Sequence, residues 1–161
     1  MNTKAFNAPW SASLIVISVL ASVLCVGISI GLFAARGKVA WVALSPLAIV
    51  LGSAPFTIRG YAITEDSILI RRLLWDTRLP LHKLVSATVS PNAMRASLRT
   101  FGNGGLFSFT GFFYNKTLGS YRAFVTDPLN TVVLKFPKRN VVLSPASPDE
   151  FVRELAVAQS A

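Results

Sequence analysis

Between Thr77 and Thr126 lie 50 residues without a single carboxylate, and the charged side chains among them are Arg78, Lys83, Arg95, Arg99, Lys116 and Arg122. Interleaved are Phe101, Phe107, Phe109, Phe112, Phe113, Tyr114, Tyr121 and Phe124, with glycines at 102, 104, 105, 111 and 119. The chemistry of such a set is attraction to anions and interfaces rather than bond making. Each Lys or Arg close to anionic headgroups contributes about 1 kcal/mol, and aromatic rings favour the headgroup level of a bilayer. The expectation is that the segment from Phe101 to Tyr114 rests at a membrane surface or against membrane-spanning helices. Arg95, Arg99 and Lys116 would then lie near phosphates, and Phe101, Phe107, Phe109, Phe112 and Phe113 would supply the aromatic contacts. The competing reading makes the rings the core of a small β domain and the glycines its bends. It is preferred for Tyr121 and Phe124, which sit in a strand-like run.

Other chemistry has little to stand on. Gly102-Asn103-Gly104-Gly105 lacks the following Gly-Lys-Ser/Thr and the strand-to-helix setting of a phosphate-cradling loop, so it reads as a tight glycine turn. His82 is the only histidine and Cys25 the only cysteine, which leaves no metal set and no Cys/His pair. No nucleophile elbow accompanies any serine. Glu65-Asp66 marks a hairpin tip and Asp149-Glu150 a helix start, neither resembling an acid/base pair. No enzymatic activity, cofactor or metal is expected. Nucleic acid is the other common partner of a basic, aromatic surface, but neither an RNP pattern nor a helix-turn-helix is present.

The elements that must position these groups begin with two charge-free stretches, Ala5 to Ala35 and Val39 to Ile58. Only 14% of the 161 residues are charged, against about 25% in an average soluble protein. Crossing about 30 Å of hydrocarbon takes about 20 apolar residues. Spans are therefore expected at about 13–34 and 39–56, with Trp10 at the headgroups. Arg36-Gly37-Lys38 leaves room only for a tight reversal, hence a helical hairpin with both termini on one side. The first run is too long and its flank too weakly basic for a cleaved signal peptide. Leu24 before Cys25 argues against a lipidated cysteine. Lys4, Arg59, Arg71, Arg72 and Arg78 outnumber Arg36 and Lys38, so the positive-inside rule places the C-terminal part in the cytoplasm, the two turn charges opposing. On that side Asn115-Lys116-Thr117 is an accidental glycosylation sequon.

Residues 59–161 hold 13 of the 16 basic and all seven acidic residues, a net of +6. Here the pattern is of short strands at 61–64, 68–73, 77–81, 84–89, 120–126, 131–136 and 140–143, separated by turn residues. In the run from Thr131, Val132, Leu134 and Phe136 point one way while Val133 and Lys135 point the other. Ser147-Pro148-Asp149-Glu150 is a capping box with proline at the first helical position. It starts an amphipathic helix at about 148–158 whose apolar face carries Phe151, Val152, Leu155 and Ala158. About seven antiparallel strands closed by one helix point to a small barrel or orthogonal sandwich.

Tyr61-Ala62-Ile63-Thr64 with Ile68-Leu69-Ile70 and Leu79-Pro80-Leu81, the block Phe101 to Phe107, Phe113-Tyr114-Asn115-Lys116, Leu118-Gly119, Tyr121-Arg122-Ala123, and Val142-Leu143-Ser144-Pro145 before the helix together carry a resemblance. The chain resembles small bacterial membrane proteins with a C-terminal pleckstrin-homology-like domain after a two-helix transmembrane hairpin. The resemblance covers the chain from residue 60 onward and implies a partly open barrel of seven strands capped by a helix, without catalysis. It supplies no ligand, because fold does not fix function. Two expectations follow for an inner-membrane protein divided into residues 1–59 and 60–161. One is a binding module for anionic phospholipid headgroups. The other is an assembly scaffold, a homo-oligomer or a membrane-protein partner's mate, using Gly27, Ser29 and Gly31 or Gly52 and Ser53 for close helix contact.

Overall fold

The computed structural model describes residues 3–34 and 40–160. The expected reversal at Arg36-Gly37-Lys38 and the start of the second span at Val39 lie outside the described residues. The chain opens with a short strand, β1 (Lys4–Asn7), followed by helix α1 (Ala12–Ala34). A 3-10 turn at Ala40–Ala43 leads into helix α2 (Leu44–Ser53), which tightens to 3-10 at Ala54–Phe56. Then come β2 (Ile58–Ile63), β3 (Ser67–Arg72), β4 (Asp76–Pro80), β5 (Ser86–Val89), β6 (Leu98–Gly104), β7 (Phe109–Asn115), β8 (Gly119–Val125), β9 (Val132–Phe136), β10 (Arg139–Leu143) and helix α3 (Pro148–Ser160).

The helical part holds one helix of spanning length where two were expected. α1 carries no charged residue and its 23 residues measure about 34 Å, enough to cross a bilayer. The second apolar stretch does not make a helix of that length. Its regular α part is ten residues, bounded by 3-10 turns, and Pro55 falls where the helix gives way. A proline lacks the N–H that an α-helix interior needs. One helix, not two, is therefore long enough by itself to span, among the described residues.

The β part also differs in count and closure. Ten strands form two sheets, ordered β1-β2-β3-β4 and β5-β9-β10-β8-β7-β6, and no strand pairing closes them into a barrel. All pairs are antiparallel except β10 on β8, which runs parallel because the β9–β10 hairpin folds back across the sheet and lays β10 beside a strand of its own direction. Three strands have no counterpart in the expected pattern. β6 and β7 form a hairpin through the segment expected to be irregular, and Gly102 faces Gly111 across it. Both glycines have positive φ, and a Cβ on Gly111 would lie 2.2 Å from the Phe101 carbonyl oxygen, so this pair admits no side chain.

β1 is the third. It pairs with β2 from Lys4 opposite Ile63 to Asn7 opposite Gly60, so the segment before the helices belongs to the domain's sheet. Gly60 permits the approach, since a Cβ there would meet the Phe6 carbonyl oxygen at 2.7 Å. Phe6 is buried with its ring edge-on to Phe151 at 5.0 Å. The main core gathers Phe6, Ile58, Tyr61, Ile68, Ile70, Leu79, Phe124, Leu134, Leu143, Phe151 and Leu155. Phe151 and Leu155 are the buried face of α3 and cover the sheets as expected from their spacing. A second, smaller core on the opposite side of β8 holds Phe113, Tyr121, Ala123, Val125, Val133 and Val142. The division follows the pleat, with Phe124 facing one core and its neighbours facing the other.

Candidate functional site

The turn of the β6–β7 hairpin docks on the helices. The Ser18 hydroxyl, in the second turn of α1, donates to the Gly105 carbonyl at 3.2 Å and accepts the Phe107 N–H at 2.9 Å. Ser108 donates to the Phe56 carbonyl at the end of the second helical segment, 3.0 Å away. The Phe107 ring lies 6.3 Å from Trp10. The turn is stitched to both helices by polar bonds, and Phe107 holds a positive φ of 65° to make them. Beside it, the tight β3–β4 turn carries Leu73, Leu74 and Trp75, all exposed, Leu74 by 71%. Trp75 meets Phe56 edge-on at 5.2 Å, which fixes this apolar turn at the same helix end.

Between the two turns a groove of about 560 Å³ separates α2 from the face of β6, β7 and β8 that carries Phe124. Ile49, Gly52, Ser53 and Phe56 form one wall; Phe101, Asn103, Leu106, Thr110 and Phe112 form the other. Its charged lining is Arg72, Arg99 and Arg122. Arg72 continues the buried phase of β3 set by Ile68 and Ile70 and is only 6% exposed. Its guanidinium carbon lies 5.6, 5.4 and 5.1 Å from the ring centroids of Phe56, Trp75 and Phe124. Arg122, two residues before Phe124 on the same face of β8, sits 4.8 Å from that ring and 5.7 Å from Phe112.

These arginines are held by π faces rather than by carboxylates. Among the described residues no ion pair involves either, and the Nε of each is buried without a hydrogen-bond partner. Burial and, second, the Arg122 charge push the Arg72 guanidinium below its ordinary pKa; burial and the nearby Arg139 do the same to Arg122. Arg99 reaches along β6 into the space that Gly104 leaves open. The lining offers cations, rings and hydroxyls but no carboxylate, imidazole or thiol. It suits anion recognition.

The residues singled out by composition are distributed unevenly. Arg99, Phe101 and Phe112 line the groove, and Phe107 and Phe109 flank the docked turn. Phe113 is a correction: adjacent to Phe112 but on the other face of β7, it is 5% exposed and stacked on Tyr121 in the second core. Arg95 and Lys116 are exposed at the opposite end of the hairpin, where Asn115 ties the two segments by donating to the Ala93 carbonyl. That end is roughly 20 Å along β7 from the docked turn. Sequence reasoning passed over Arg72, Arg122 and the Leu73–Trp75 turn. The signal for both arginines was the two-residue period, which puts Arg72 in line with Ile70 and Arg122 in line with Phe124.

On the helices, Ser29 is buried, whereas Gly27, Gly31 and Gly52 have no atom within 4 Å of where a Cβ would stand. No cluster of three His, Cys, Asp or Glu side chains suited to a metal occurs among the described residues. The family model described as "Bacterial PH domain" matches residues 59–159. Comparison with curated proteins and comparison with solved structures each gave no match.

Proposed function

Since the chain belongs to the bacterial PH-domain family, we propose that it is a membrane-anchored, non-catalytic binding module whose domain is held against an anionic membrane surface. α1 is the anchor, and residues 40–56 are its return. At the rises of their 3-10 and α segments these 17 residues measure about 30 Å, close to the hydrocarbon thickness. The pairing of β1, before the helices, with β2, after them, supports this topology, because a chain that leaves a sheet and rejoins it must come back to the same side. The positive-inside count favours the cytoplasmic side of a bacterial inner membrane.

The observation that carries the reading is where the exposed apolar groups sit. Leu73, Leu74, Trp75, Phe101 and Phe112 flank the helix ends at which a bilayer would begin, and Arg99 stands among them. Rings and aliphatic side chains at that level with basic groups beside them are the composition an anionic interface selects.

The test is a depth measurement on the full chain in nanodiscs. A nitroxide on Leu74→Cys, in a Cys25→Ser background, is expected at headgroup depth, and deeper when phosphatidylglycerol is present than in phosphatidylcholine alone. A label in bulk water in both lipids overturns the surface reading; equal depth in both overturns its anionic part.

A further inference from the structure

We propose that the groove between α2 and the β6–β8 face is a single-occupancy site for a phosphate-bearing amphiphile, its phosphate held by Arg72 and Arg122 and its acyl chain lying along Ile49, Gly52 and Phe56. The inference rests on the membrane reading above for the source of the ligand, but its site is independent of the exposed turns.

Three observations converge. The first is an imbalance: two arginines flank one ring, that of Phe124, their guanidinium carbons 5.1 and 4.8 Å from its centroid, and among the described residues no carboxylate pairs with either. Two like charges in a half-dry setting repel, and an anion between them removes the repulsion while strengthening its own bonds in the low dielectric. The second is capacity for hydrogen bonding. Arg72 is almost wholly withdrawn from solvent and its Nε donates to nothing, and the Arg122 Nε is equally idle. A guanidinium presents donors in a planar fork that matches two phosphate oxygens, so each of these arginines has a face left to offer. The third is shape. About 560 Å³ is within the range of small-ligand sites, and the wall opposite the arginines is aliphatic and aromatic, opened by the absent side chain of Gly52. A bare inorganic anion would use the arginines and leave that wall empty; a phosphate on an acyl chain uses both.

The nearby polar side chains do not compete. Ser53 donates to the Ile49 carbonyl, Asn103 closes its own turn against Leu106, and Thr110 shares a hydrogen bond with Ser108. This leaves recognition to charge and to the fork, which suits a phosphodiester or phosphomonoester headgroup.

The experiment is native mass spectrometry of the full chain in detergent, with phosphatidylglycerol, phosphatidic acid or phosphatidylcholine added, and inorganic phosphate as competitor. One anionic lipid per chain is expected to be retained, at least tenfold more than phosphatidylcholine. Arg72→Gln with Arg122→Gln should lower retention tenfold or more, while Lys135→Gln with Lys138→Gln, which removes two exposed charges elsewhere, should leave it unchanged. Gly52→Phe fills the apolar wall without touching an arginine and should also abolish retention, which guards against a folding defect in the double variant. Undiminished retention in Arg72→Gln/Arg122→Gln, or equal retention of neutral and anionic lipid, overturns the site. Displacement by millimolar inorganic phosphate with Gly52→Phe indifferent overturns the amphiphile in favour of free phosphate. The two proposals fail separately: a water-exposed Leu74 label with lipid still retained sinks the surface reading alone, and a headgroup-depth label with no retained lipid sinks this one alone.

Discussion

Phe124 stands between two buried polar regions that treat their polar atoms in opposite ways. On its backbone side the Tyr61 hydroxyl donates to the Phe124 carbonyl at 2.7 Å and accepts the Ser144 N–H at 3.2 Å, while the Ser144 hydroxyl accepts the N–H groups of Thr126 and Asp127 at 2.8 and 3.2 Å. Every one of these groups has a partner. On its ring side, Arg72 and Arg122 bring two charges and two unpartnered Nε atoms. Buried polar groups in folded chains are nearly always paired, because leaving one unpaired costs about 1–3 kcal/mol. A region that obeys the rule has its purpose in holding β2, β8 and β10 together. A region that breaks it a few ångströms away keeps donors unused beside a groove, which is where the proposed phosphate would sit.

The largest effect should come from Ser144→Ala. It leaves two buried backbone N–H groups without an acceptor and removes a partner of Tyr61, a loss of about 2–4 kcal/mol in denaturant unfolding of the full chain. A loss below about 0.5 kcal/mol would mean that the network does not hold the strands, and the two sides of Phe124 would no longer differ in purpose. Next is the alkaline limb. Burial raises the Tyr61 hydroxyl to about 12, above its ordinary value near 10. The folded state keeps the proton that the unfolded chain gives up, so the tyrosine's contribution is intact below about pH 10. It is lost at up to about 1.4 kcal/mol per pH unit as pH climbs toward 12. Comparing the wild type with Tyr61→Phe should show a shallower decline in the variant between pH 10 and 12; parallel curves would place the titration elsewhere.

How much of this was legible in the sequence depended on whether a residue's partner was near in the chain. The alternation in β9 and the capping box before α3 are local signals, and each element formed where they point. β1 is four residues long and acquires its meaning only from β2, more than fifty residues away, so nothing local marks it. β6 exposes nearly all of its side chains and so lacks the alternation that betrays a strand. Composition pointed to the β6–β7 hairpin but could not orient it. Arg99 and Phe112 belong to the helix-facing side, whereas Arg95 and Lys116, chosen for charge alone, sit at the far end and Phe113 turned inward. The pleat was the better guide: a charge in phase with Ile68 and Ile70 is a charge committed to the interior, and the acid-free window that begins at Thr77 missed Arg72 by five residues.

The smallest expected change in stability is also the most discriminating. Replacing a buried unpaired charge by an apolar side chain of similar length removes a desolvation cost and is often neutral or stabilising. Arg72→Met should therefore unfold within about 1 kcal/mol of the wild type, the lost cation–π contacts with Phe56, Trp75 and Phe124 being offset by thioether packing against the same rings. A structural arginine would not behave this way. If Arg72→Met costs as much as Ser144→Ala, then Arg72 is part of the framework after all, and the two sides of Phe124 differ in chemistry but not in purpose. If stability is unchanged while anionic lipid is no longer retained, the charge at position 72 is kept for what it binds, a trade of stability for function of the kind that marks sites rather than cores.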